Sequence, residues 1–300
     1  HPDFLSTRYA ERLAQERGLP LERVQHHHAH LAAVLADNHL DGPAIGLICD
    51  GTGYGADGTV WGCEVLVGSA AGYERAGHLR TIRLAGGEAA IKEPWRVAAA
   101  WLQEAFGPDF LDELDLPFVA RLDRRAWDVL QRMMTRGVRS PIVSSAGRLF
   151  DAAAALIGLY DRVQYEAQAP MKLEAIAERR VRPYDFDLRD AAGTLILDPT
   201  PTIRAMVDDL RAKESQARVA GRFHASFVAM LAEAASCMAR RTGIDLVALS
   251  GGTCQNRIVL EDLMDELERR NLRPIMHRAT PPGDGCVSLG QAMVAQARWQ

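Results

Sequence analysis

Four of the chain's nine histidines fall within five residues, His26-His27-His28-Ala29-His30. On a helix that begins near His26, positions i and i+4 share one face, roughly 6 Å apart. His26 and His30 are therefore spaced to share one divalent metal ion. The spacing follows the logic of paired-histidine zinc helices, but lacks the glutamate those helices carry. Two imidazoles alone make a weak site, so carboxylates have to come from elsewhere in the chain. The plain alternative is a pair of surface or core histidines. A purification tag is excluded, because the cluster is internal and leads into an apolar helix.

Four further segments could carry chemistry. Asp50 stands in Cys49-Asp50-Gly51-Thr52-Gly53-Tyr54-Gly55, directly after an apolar run. A carboxylate at the end of a buried strand sits where α/β sheets present active-site groups. Gly51 and Gly53 are expected to let a phosphate or acyl group approach the backbone closely. A simple Asp-Gly turn is the alternative. Ser250-Gly251-Gly252-Thr253-Cys254-Gln255-Asn256 reads as strand, tight turn and helix start. Backbone N–H groups there suit a phosphate or ribose. In Pro281-Pro282-Gly283-Asp284-Gly285-Cys286, Asp284 could cap the last helix or reach a metal. Asp151, in Ser144-Ser145-Ala146-Gly147-Arg148-Leu149-Phe150-Asp151, falls in the first turn of a helix, where it would also complement the helix dipole.

The elements that must position these residues are legible in outline. The apolar run 44–49 is bounded by Gly-Pro and Asp-Gly, which suits a strand buried on both faces. Two extended pieces flank Gly55-Ala56-Asp57-Gly58, a hairpin signal. Residues 73–84 read as one further strand. Helical spacing covers 3–17 and the stretch from His27 to Asn38. It returns over 92–106, 125–136, 147–160, 169–179, 202–213 and 217–242. A strand pair, 184–188 and 194–197, interrupts these helices. Strand 245–250, helix 255–271, strand 273–277 and helix 285–300 follow. The pattern is that of an α/β protein.

Composition bounds the function. The 300 residues suit two lobes of roughly 150 each. Lys plus Arg number 35 against 39 Asp plus Glu, a formal net charge of -4. That disfavours a protein gripping nucleic acid along its whole surface. No run of about 18 uncharged apolar residues occurs, so a membrane span is excluded. Five cysteines without a CxxC pair fit a reducing cytoplasm. The chain opens His1-Pro2-Asp3, with no Met and no signal-peptide pattern, and so reads as the inside of a longer chain.

Seven motifs in order resemble one family: HPDFLSTRYA, VQHHHAH, CDGTGYGADGTVWGCE, GGEAAIKEPWR, SSAGRLFDAAAALIG, SGGTCQN and PPGDGCVSLGQA. Together they cover nearly the whole chain. It resembles the C-terminal carbamoyltransferase region of the hydrogenase maturation factor HypF. That module is related to Kae1/TsaD-type tRNA threonylcarbamoyl transferases and to the O-carbamoyltransferase TobZ. The resemblance implies an α/β fold of two actin-like, ATPase-type (ASKHA, Kae1-like) lobes around a cleft. Residues 1–90 would form the first lobe, with its first β-hairpin expected before His1. Residues 91–300 would form the second, nucleotide-binding lobe.

The resemblance further implies a metal held by His26, His30, Asp50 and Asp284, with Fe, Zn, Mn and Mg as candidates. His26, His30 and Asp50 would serve catalysis. An adenylate would be held by Asp151, Gly251, Gly252 and Asn256. Lys172 and Glu174, with the segment Tyr165-Glu166-Ala167-Gln168, would lie at its ribose or adenine end. The implied reaction moves a carbamoyl group from carbamoyl-adenylate, made from carbamoyl phosphate and ATP by modules upstream. The acceptor is the C-terminal cysteine of the partner HypE, on the route to the cyanide ligands of [NiFe] hydrogenase. No protein nucleophile is evident, so direct transfer is expected. Alternative readings are transfer to tRNA or a small hydroxyl acceptor, and a non-catalytic nucleotide- or metal-binding scaffold. Three positions depart from the family's glycines: Cys63, Ala167 and Cys286.

Overall fold

A computed structural model describes residues 1–299. Helices α1 (Leu5–Arg17) and α2 (His26–Asp37) come first. Strands β1 (Ala44–Tyr54), β2 (Val60–Ser69) and β3 (Gly72–Leu79) then form an antiparallel meander, followed by the short β4 (Ile82–Arg83). Helices α3 (Ala89–Lys92), α4 (Pro94–Phe106), α5 (Phe110–Glu113), α6 (Pro117–Arg121) and α7 (Arg124–Arg136) come next. Strand β5 (Ile142–Ser145) runs straight into α8 (Ala146–Leu156), and α9 (Gln168–Ile176) follows. A hairpin of β6 (Asp187–Ala191) and β7 (Thr194–Asp198) leads to α10 (Thr200–Arg211) and the long α11 (Gln216–Thr242). The last elements are β8 (Leu246–Ser250), α12 (Arg257–Arg269), β9 (Arg273–Ile275) and α13 (Val287–Trp299).

The strands join one mixed sheet in the order β6-β7-β3-β2-β1-β8-β9, with β5 parallel to β2 and β4 antiparallel to β5. Hydrogen-bonded strands from both sides of residue 90 belong to it. β1 lies parallel to β8, with Ile48 opposite Ser250, so the turn after β8 falls beside Cys49 and Asp50 of β1. The β1–β2 register breaks between Cys49 and Gly53. Such irregularities re-aim side chains beside active sites, and here Asp50 falls inside one.

Side chains of β1 alternate between two cores. Ile45, Leu47 and Cys49 join the large core built with α4, α8 and α11. Ala44 and Ile48 pack with Leu31, Val34 and Leu35 of α2. A period of two places residue 50 on the α2 side. Each fully buried Leu or Ile contributes about 1.5–3 kcal/mol, so this packing holds α2 firmly over the end of β1. α13 closes the opposite side of α2. Gly290 rests on the Ala29 carbonyl, and a Cβ there would overlap that oxygen.

Several boundaries differ from the sequence expectation. The single strand read over 73–84 stops at Leu79, and Ile82–Arg83 turns away to pair with β5. β5 itself was not expected, since four residues are too few to show a period. The strand expected at 184–188 starts at Asp187 instead. Tyr184 leaves the sheet for the core, where its hydroxyl donates to Asp209 at 2.7 Å. The helix expected over 255–271 starts at Arg257, because Asn256 caps it by accepting the Val259 N–H at 3.0 Å.

Candidate functional site

α2 begins where Gln25 caps it, its Oε1 accepting the His28 N–H at 2.8 Å. That fixes the helical phase, and the i, i+4 pair then faces β1. His26 Nε2 lies 3.0 Å from Asp50 Oδ2 and 3.5 Å from Asp284 Oδ1. His30 Nε2 lies 3.9 Å from Asp50 Oδ2 and 3.7 Å from Asp284 Oδ1. One ligand atom from each of the four residues falls within 4.8 Å of the others. A tetrahedral centre with bonds near 2.1 Å has edges of about 3.4 Å, so the spacing suits one ion. His30 Nε2 is buried with no hydrogen-bond partner. Such an orphan nitrogen, turned toward two carboxylates, fits a metal ligand. Asp284 supplies the open side, its side chain 78% exposed against none for His30. A cavity of about 590 Å³ adjoins, with Gln25, His26, Tyr54 and Gln291 in its wall.

Asp50 is held at both oxygens. Oδ1 accepts the Gly252 N–H at 3.1 Å, which leaves Oδ2 for the histidines. Burial opposes its charge, but the His26 hydrogen bond, the His30 and His26 rings and the Gly51 N–H outweigh it. They hold the carboxyl well below the usual range. Gly53 also has a packing task. A Cβ there would stand 2.7 Å from His26 Cδ2 and closer still to the His27 ring. The glycine makes room for the histidine helix.

His27 and His28 take no part in the cluster. His27 is buried against Trp61, and burial holds its pKa well below the ordinary value. His28 is bound to the Ser69 carbonyl at 2.7 Å. Behind the site, His30 Nδ1 lies 3.0 Å from Ser250 Oγ and 3.3 Å from Cys286 Sγ. Ser250 Oγ in turn contacts His277 Nε2 at 2.8 Å. Sequence reasoning missed His277 and Asp37. Asp37 lies seven residues after His30 on α2, on the same face, which is a readable signal.

The residues expected to hold a nucleotide lie around α8, α9 and the β8–α12 turn. Asp151 is buried and takes a 2.7 Å hydrogen bond from Arg148 Nε. Burial pushes its pKa up to about 6 against the pull of Arg148. Asn256 caps α12 and meets His224 Nε2 at 3.0 Å. Glu174 reaches the same turn and accepts the Arg257 N–H at 2.8 Å. Gly251 donates its N–H to the Pro282 carbonyl at 2.8 Å, and Gly252 serves Asp50. Lys172 is exposed on α9 and has no hydrogen bond or ion pair among the described residues. The structure thus sets Gly251 and Gly252 against the end of β1, where Gly252 meets Asp50, while Asn256 and Glu174 meet at the start of α12 and Lys172 has no such contact. Ala167 takes a left-handed conformation, φ 62°.

Family matches over most of its length place the chain among Kae1-like carbamoyltransferase domains. Residues 46–291 match the family described as "Carbamoyltransferase, Kae1-like Domain, second subdomain", and residues 1–37 match the "HypF Kae1-like domain". A carbamoyltransferase HypF homolog of Cupriavidus necator is 40% identical, over 98% of this chain and 76% of its own length. Carbamoyltransferase HypF2 of the same organism is 39% identical over 99% of the chain. The chain spans only 39% of that longer relative. A crystal structure of full-length HypF in its phosphate- and nucleotide-bound form superposes with a TM-score of 0.91 at 36% identity, over 98% of this chain and 38% of that one. The HypF of T. kodakarensis gives 0.89 at 28% identity, over 100% of this chain and 39% of that one. The chain belongs to the HypF carbamoyltransferase family.

Proposed function

We propose that the chain carries out the carbamoyl-transfer step of [NiFe] hydrogenase maturation in the cytoplasm. The carbamoyl group would come from carbamoyl-adenylate, made from carbamoyl phosphate and ATP, and pass to the C-terminal cysteine of HypE. The supporting observation is the convergence of His26, His30, Asp50 and Asp284 within 4.8 Å, in a chain of this family. The two imidazole Nε2 atoms, Asp50 Oδ2 and Asp284 Oδ1 are the atoms that would hold a divalent ion. Bound there, the ion would supply Lewis-acid polarisation of the carbamoyl carbonyl. In the same reading residues 1–90 and 91–300 are the two lobes, and Asp151, Lys172, Glu174, Gly251, Gly252 and Asn256 hold the nucleotide. A full-length HypF solved in a phosphate- and nucleotide-bound form is in keeping with nucleotide binding in this family.

The acceptor thiolate attacks the carbamoyl carbon directly. A C–S bond forms, the C–O bond to the adenylate phosphate breaks, and AMP leaves. The chain's own thiols are poor rivals. Cys49, Cys63, Cys254 and Cys286 are buried. Burial pushes Cys286, the thiol beside His30, up to about 11. A carbamoylated side chain recovered from a quenched reaction would overturn direct transfer.

The test is metal content together with carbamoyl transfer to HypE, supplied with carbamoyl-adenylate. His30→Ala and Asp50→Ala should lose both while keeping the wild-type circular dichroism. A His26→Ala/His30→Ala protein with full metal occupancy would refute the site. Transfer to tRNA but not to HypE would replace the acceptor.

A further inference from the structure

His30 can serve a metal through Nε2 only if its ring proton sits on Nδ1. The hydrogen bonds behind the ring decide where that proton lies, and they end on a carboxylate. Asp37, at the last turn of α2, is a pure acceptor. Its Oδ2 takes the backbone N–H groups of Arg278 at 2.7 Å and Thr280 at 3.2 Å, and the Thr280 hydroxyl at 3.1 Å. Ala279 N–H adds contacts to both oxygens. The Thr280 proton is thus committed to Asp37, so Thr280 Oγ1 can only accept from His277 Nδ1, 2.8 Å away. Asp37 Oδ2, 3.6 Å from Nδ1, also favours a proton there, and burial, which lowers the pKa of His277 against the pull of Asp37, opposes a second proton on Nε2. Its Nε2 is then a bare acceptor, 2.8 Å from Ser250 Oγ.

Ser250 has a single proton to give. Given to His277 Nε2, or to the Pro282 carbonyl at 3.2 Å, it leaves Oγ as an acceptor toward His30 Nδ1, 3.0 Å away. Given to His30, it would set the Oγ lone pairs against the lone pair of His277. Cys286 Sγ lies 3.3 Å from the same His30 nitrogen, but sulfur is a weak partner in either role. On these contacts, and on the metal reading above, we infer that Ser250, His277 and Asp37 are positioning residues. They lock His30 in its Nδ1–H tautomer and keep the Nε2 lone pair free for a divalent ion. The orphaned state of that buried nitrogen agrees.

The tautomer can be read without metal, from long-range ¹H–¹⁵N correlations of ¹⁵N-histidine-labelled protein. Wild-type His30 should show Nδ1 protonated and Nε2 bare. Ser250→Ala removes the acceptor and should shift the signal toward the Nε2–H form. His277→Phe should do the same in a chain that keeps Ser250. Cys286→Ala should leave the signal unchanged. Zn²⁺ titration of the same proteins should give affinities roughly 10- to 100-fold weaker for Ser250→Ala and His277→Phe than for wild type. An Nε2–H signal in wild type would overturn the inference. So would an unmoved tautomer in Ser250→Ala, or a shift seen only in Cys286→Ala. Failure of the metal reading looks different: wild type and His30→Ala would take up Zn²⁺ equally, whatever the tautomer.

Discussion

Around His30 the polar atoms converge on one point, whereas around Asp151 they pair off with one another. His26, His30, Asp50 and Asp284 leave ligand atoms facing a common centre, and the rear contacts of His30 and Asp50 hold them there. On the other side, Asp151 is tied to Arg148, Asn256 to His224 and Val259, and Glu174 to Arg257. The difference matches what each region would bind. A small cation needs lone pairs that are already free and already aimed. A nucleotide is large enough to exchange existing hydrogen bonds for its own. Damage at the first region should therefore appear as lost metal, and damage at the second as changed stability.

The strongest test of that contrast is Gly53→Ala. The added methyl meets both His26 and His27, in a site packed by α2. Overpacking of this kind costs about 1–3 kcal/mol, and His26 is the side chain with room to retreat. Metal affinity should fall at least tenfold and the melting temperature should drop. Unchanged metal binding, measured by titration beside thermal unfolding, would mean that His26 tolerates displacement and that the region is less preset than its geometry implies.

Asp151→Asn tests the second region through pH. The folded carboxyl titrates near 6, above its value of 3.8 in the unfolded chain, because burial outweighs Arg148. The folded form thus holds its proton more tightly. The stability that this contributes is complete below pH 4 and is lost as the pH rises through 6. A titration point raised from about 4 to about 6 on folding corresponds to about 3 kcal/mol. The asparagine variant does not titrate. The difference in unfolding free energy between the two proteins should change by up to about 3 kcal/mol between pH 4 and 6, in the variant's favour. Parallel curves would show that the Arg148 pair keeps Asp151 ionised throughout.

The same contrast explains what the sequence let one read. His26 and His30 were legible because a single helix supplies both and local spacing sets their distance. Asp50 was legible because it ends an apolar run. The service that Gly252 gives Asp50 was not, since it comes from a backbone N–H brought near by the pairing of β1 with β8. The packing task of Gly53 was not legible for the same reason. Its neighbour is a helix that precedes it in sequence, and only packing reveals the contact. The strand β5 was too short to carry a period, and the strand near 184 was shifted because Tyr184 has a core partner in Asp209. Asp37 shares a helical face with His30 and could have been found by counting.

The smallest effect is expected at Ala167, where the family has glycine. The residue precedes α9 at φ 62° and ψ 7°, a conformation that disfavours a Cβ by about 1–2 kcal/mol. Ala167→Gly relieves that strain but gives the unfolded chain more freedom, which offsets part of the gain. A net stabilisation below about 1 kcal/mol should remain, a rise of about 1–2 °C in melting temperature for a chain of this size. Zn²⁺ affinity should not move, because Ala167 is exposed and is not one of the four ligands. Nucleotide affinity is the sharper readout. Glu166, the neighbour of Ala167, approaches both Asp151 and Gly51, so a freer backbone at 167 alters how that carboxylate is held. A melting temperature that falls, or a metal affinity that changes with it, would mean that the two regions are mechanically one.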